Sequence, residues 1–162
     1  ETFRSLPPEV AKEYLLDDGD ILLARSGATV GKTFLYRPSW GVAAYAGYLI
    51  RARMSSCMNA DFTYYFLQSD IYWQWLNSIF IQATIQNVSA EKYANLWVPV
   101  PDENEQDMIV SYISVRIDKV DLQFSKAQEA ITKLKEYRSA LITKAVTGKI
   151  DVRNFKVPEK AA

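Results

Sequence analysis

The chain of 162 residues contains no histidine and a single cysteine, Cys57. Without histidine there is no imidazole acid–base catalysis, no common serine or cysteine triad and little scope for a zinc site. A lone cysteine closes no intramolecular disulfide, which fits a reducing compartment, and we expect a cytoplasmic protein. No apolar run approaches the ~18 residues of a membrane helix, so neither a membrane span nor a secretory leader is expected. The formal net charge is zero, so a global basic excess, the signature of many nucleic-acid binders, is also missing. Any contact with nucleic acid must come from local patches. Hydrophobic residues make up 49% of the chain, which excludes a disordered protein. The first residue is Glu1 rather than Met. We therefore expect a piece of a longer protein whose first domain is N-terminally incomplete.

Helix breakers are scarce where the chain is most regular. No proline or glycine falls between Asp102 and Gly148. Across that stretch Val110, Ile113, Ile117, Val120, Phe124, Ala127, Ile131 and Leu134 recur at alternating steps of three and four. This is a heptad seam, the spacing that keeps one apolar stripe turned toward a partner helix. Arg138 interrupts it, Tyr137 and Leu141 offer a second path, and it resumes at Ala145. Asp102 with Glu105 reads as a capping box, and Gly148 stands where a left-handed residue closes a helix. The spacing predicts one helix of roughly 42 residues, about 60 Å long. One small domain cannot cover such a helix, so the seam predicts a mating helix.

The first hundred residues read differently. Ile21–Ala24, Thr33–Tyr36 and Tyr48–Arg53 are short strand candidates separated by Gly- and Pro-bearing turns. Asn59 or Asp61 caps an aromatic helix through Leu76, and Ser89 starts a short one. The stretch from Phe80 to Val88 is compatible with a strand or an extended polar loop. Leu96–Pro101 reads as an edge strand, and Ile150–Arg153 as a short one. Basic residues concentrate in residues 1–60 and in the long helix, whereas residues 61–103 hold one against five acids.

Gly27-Ala28-Thr29-Val30-Gly31-Lys32-Thr33 resembles a phosphate-binding loop only superficially. A Walker A loop places four residues between its glycines and opens a helix. Here there are three, and a strand follows, so a tight turn is the better reading. Such a turn can still face a phosphate backbone through Arg25 or Lys32, with Ser26 and Thr29 beside them. Gln82, Thr84, Gln86 and Asn87 form a second polar run. Gln and Asn can read adenine bidentately and Thr can touch a base edge, although a solvated loop has the same composition. The aromatics of residues 62–80 suit a core more than a base-stacking surface.

Four of these pieces, in this order, resemble the specificity subunits of Type I restriction–modification systems. They are Gly19–Gly27 followed by Gly31-Lys32; Gln86–Ser89; Leu96–Pro101 with Glu105-Gln106; and Leu134–Ile142 with Ala145–Arg153. Asp102-Glu103-Asn104 departs from the Pro-Leu-like residues common there. The resemblance implies an α+β fold, a mixed β-rich target recognition domain followed by one long helix. That helix forms an antiparallel coiled coil with a partner helix. On this reading residues 1–100 are the recognition domain, 101–147 the coiled-coil helix and 148–162 a tail, together one half of a full subunit. It implies a non-catalytic dimeric reader of half of a bipartite site in double-stranded DNA, with Arg25, Ser26, Thr29, Lys32, Gln82, Thr84, Gln86 and Asn87 as candidate contacts. The seam, with Leu141 added, would be completed by a second copy or by the other half of the subunit. Methyltransferase subunits would dock on the helices and hold S-adenosylmethionine, this chain holding no cofactor or metal, and restriction subunits would join indirectly. The competing reading from the residues alone is a coiled-coil adaptor that binds no DNA.

Overall fold

The computed structural model describes residues 7–81 and 87–156. A short helix, α1 (Pro8–Ala11), is followed by the turn at Asp17–Asp20, where Gly19 takes φ +82°. The turn delivers the chain into β1 (Ile21–Ala24). This is the central strand of an antiparallel sheet ordered β2-β1-β3, with β2 at Thr33–Leu35 and β3 at Leu49–Ala52. Leu22 lies opposite both Phe34 and Arg51. Alternation then sends Ile21 and Leu23 to the face covered by helices, where they pack with Leu35, Leu67, Tyr72, Leu76 and Val88. Leu22 points to the other face and joins Leu16 and Tyr36. Cover on both faces is why β1 reads as an unbroken apolar run.

Arginines brace the turn. Arg53 donates from Nε and Nη2 to the two carboxylate oxygens of buried Asp20, each at 2.8 Å, and the Asp17 N–H adds a third bond at 2.8 Å. Burial opposes ionisation of Asp20, but Arg53 and the Asp17 amide outweigh it and hold the carboxyl below its usual range. Arg37 bridges Asp18, at 2.9 Å, and Asp61.

The aromatic helix expected after Asn59 is two helices. Asn59 caps α2 (Ala60–Phe66), its Oδ1 accepting from the amides of Asp61 and Phe62. The chain breaks at 67–69, and α3 (Asp70–Ile81) begins with Ser69 Oγ accepting from the Tyr72 amide. One straight helix would have spread these aromatics around its circumference. The break lets Phe62, Leu67, Tyr72 and Leu76 all be buried while Ile71 faces solvent. Ser89 caps α4 (Ala90–Ala94). Two expected strands are absent among the described residues. Leu96–Pro101 pairs with no strand; Pro99 and Pro101 lack an N–H, and Trp97 is 91% exposed. Ile150–Arg153 is also unpaired, Arg153 folding back on Asp151 at 2.7 Å.

The chain forms two compact units, Glu1–Ile113 and Ser114–Ala162. The long helix α5 (Glu103–Val146) has 44 residues, about 66 Å of helix. Asp102 Oδ1 accepts from the Glu105 amide at 3.0 Å, which caps its start. Gly148, at φ +71°, closes its end, and the Lys149 amide returns to the Lys144 carbonyl at 2.8 Å. No helix among the described residues is long and apolar enough to cross a membrane.

Candidate nucleic-acid interface

Three chain segments meet where β1 ends. The Arg25 amide donates to the Tyr48 carbonyl at 3.2 Å, and the Arg25 carbonyl accepts from the Val88 amide at 2.9 Å. Ser26 and Asn87 form an antiparallel bridge one step further out. Two stretches about sixty residues apart, singled out separately in the sequence, therefore meet through Ser26 and Asn87. The turn between β1 and β2 is held as tightly. The Gly31 amide donates to the Ala24 carbonyl and the Ala24 amide to the Lys32 carbonyl, both at 2.9 Å. A single 3-10 turn at Gly27–Thr29 carries the chain around, with Gly27 and Gly31 at φ +78° and +81°. A strand rather than a helix follows Lys32, so this is not a Walker A loop.

The turn rests on α3. The Tyr72 hydroxyl, fully buried, donates to the Gly31 carbonyl at 2.7 Å and lies 3.4 Å from the Tyr93 hydroxyl. Burial, and then the Tyr93 contact, push the Tyr72 phenol well above its ordinary value, so it stays a donor at any physiological pH. A Cβ at Gly31 would stand 2.1 Å from Leu76 Cδ2. The turn therefore sits on its support with no room beneath it.

Charge along the stretch that carries the turn is one-signed. Residues 21–60 contain Arg25, Lys32, Arg37, Arg51 and Arg53 and no acidic residue. Arg37 and Arg53 are spent on ion pairs, and Arg51 donates to the Leu15 carbonyl and lies over the Tyr45 ring. Among the described residues Arg25 and Lys32 have no carboxylate partner, and Ser26, Thr29, Lys32 and Asn87 are exposed around them. Gln82, Thr84 and Gln86 lie outside the described residues. Tyr48, expected to open the third strand and not to be a contact, lies in the turn just before β3. It is 65% exposed at the same end, its carbonyl accepting from the Arg25 amide. An aromatic between Gly47 and the strand was the available signal.

Among the described residues no cluster of His, Cys, Asp or Glu could hold a metal ion. A family model described as the Type I restriction modification DNA specificity domain matches residues 5–133. The chain belongs to this family. It is 26% identical over 161 residues to the Type I restriction enzyme EcoKI specificity subunit of Escherichia coli K12, covering 93% of this chain and 34% of that one. It is 24% identical over 149 residues to the StySPI specificity subunit of Salmonella potsdam, covering 88% and 32%. The chain thus spans about one third of the length of these specificity subunits. A solved chain, described under complex assembly and conformational transition of the type I R-M system, superposes with a TM-score of 0.67 at 21% identity. It covers 82% of this chain and 31% of the solved one, and supports the fold.

Proposed function

We propose that this chain is a non-catalytic reader of one half of a bipartite DNA site. Its reading surface is the end of the sheet where Arg25, Ser26, Thr29 and Lys32 meet Asn87, with Gln82, Thr84 and Gln86 from the adjoining run and Tyr48 as an added contact. The observation that carries this is the Ser26–Asn87 bridge, which brings Asn87 against the turn that bears Arg25 and Lys32, two cations with no carboxylate partner among the described residues. Cations there suit phosphates, and the amide and hydroxyl side chains suit base edges. The apolar face of α5 mates with the α5 of a second copy or with the other half of the subunit, in antiparallel fashion. A helix of about 66 Å exceeds one ~34 Å DNA turn and can space two readers. Methyltransferase subunits dock on these helices, restriction subunits join through them, and S-adenosylmethionine binds in the methyltransferase, all in the cytoplasm.

Selection from a randomised duplex pool tests this, with the methyltransferase subunits present. Recovery of a split motif, two short defined blocks around an undefined spacer, is the expected result. Failure to enrich any motif would leave the coiled-coil adaptor as the better account.

A further inference from the structure

The first turn of α5 buries a glutamine completely. Gln106 Nε2 donates to the carbonyls of Cys57 and Pro101, each at 2.9 Å, and its Oε1 accepts from the Asn59 amide at 2.7 Å. Both donors and the acceptor are in use. Asn59 is the cap of α2, and its Nδ2 reaches Asp107 Oδ1 at 2.7 Å. One side chain therefore ties three backbone sites, and through Asn59 it ties the start of α5 to the start of α2. The whole network lies within the unit Glu1–Ile113.

An apolar residue would fill the same space, but hydrophobic contact is non-directional and lets surfaces slide. Three hydrogen bonds in different directions allow neither sliding nor rotation. The joint has need of this, because the segment leading into α5, Leu96–Pro101, is paired with no strand among the described residues. Nothing in a sheet holds it. The lever is also long. A tilt of about 10° at the base of a helix of about 66 Å moves its far end by about 11 Å, roughly three base-pair rises of ~3.4 Å.

We propose that Gln106 is a positioning residue for spacing. By locking the base of α5 to the recognition fold, it sets how strictly the gap between half-sites is read, while the half-site bases are read elsewhere. This rests on the bipartite reading above. The test is the same duplex selection, run on the chain assembled with its methyltransferase subunits, comparing wild type with Gln106→Met. Methionine keeps the volume and removes all three bonds. The expected result is an unchanged half-site motif with spacers spread one or two base pairs around the wild-type length, since a tilt of a few degrees shifts the far end by about one rise. A folded Gln106→Met complex that keeps the single wild-type spacer overturns the proposal, as does one in which the preferred bases change. Should Gln106→Met fail to fold, Asp107→Ala removes only the exposed bond to Asn59 Nδ2. A narrower spread is then expected, and an unchanged spacer overturns the proposal. If wild type itself yields no split motif, the bipartite reading falls instead, so the two failures are told apart.

Discussion

Lys32 shows how little of a neutral protein needs to be basic. The chain has 19 cationic and 19 anionic residues, yet the stretch around Lys32 has no acid for eleven residues upstream or twenty-eight downstream. Its backbone is fixed on both sides, by the Ala24 amide at its carbonyl and by its own amide to the Thr29 carbonyl. Only the side chain is free to seek a phosphate. Lys32→Ala is expected to weaken binding to all duplexes about equally and to lower the slope of log K against log salt by about one. Fluorescence anisotropy over a salt series measures it, and an unchanged slope would mean that Lys32 faces away from the backbone. The residue types in the turn and at Asn87 made this end visible as candidate sites. Tyr48 was not visible as a contact, because a tyrosine next to a strand has the same composition whether it is covered or, as here, exposed.

What holds the turn is α3, through a contact spanning 41 residues. Gly31→Ala would place a Cβ against Leu76 and force a left-handed conformation on a residue that resists it. The strain of about 1–2 kcal/mol and overpacking of typically 1–3 kcal/mol predict a loss of roughly 2–5 kcal/mol. Urea unfolding of the variant measures this, and a loss below ~1 kcal/mol would mean that Leu76 gives way freely. This support was not legible in the sequence, since nothing local to Gly31 names Tyr72 or Leu76. Local signals fared better. The three strands, the caps at Asn59, Ser89 and Asp102 and the glycine closing α5 all follow from neighbouring residues. The errors fell where distant partners decide. Leu96–Pro101 has the composition of a strand but, among the described residues, no strand beside it. The aromatic helix broke at 67–69 because burial, rather than helical propensity, chose where it should bend.

Solvent reaches much of the apolar face of α5. Phe124 is 70% and Leu134 66% exposed, with Ile117, Val120, Ile131 and Leu141 also open to water. Such a stripe on a monomer loses the burial worth ~25 cal/mol per Å² that a mate would supply. Its heptad spacing extends over more than thirty residues, far beyond the contact a short loop or a single side chain could cover. A second long helix is the partner of matching length, and a second copy of this chain carries one. Ile117→Asp combined with Ile131→Asp would place carboxylates in that seam at a cost on the order of several kcal/mol each. The wild type is expected to sediment as a dimer and the double variant as a monomer. Its unit Glu1–Ile113 should stay folded, because neither substitution falls within it. Duplex selection should then recover one block of defined bases without a second at fixed distance, since each copy would read alone. A dimer that survives both charges would place the mating surface elsewhere on the chain and remove the reason for the helix to be this long.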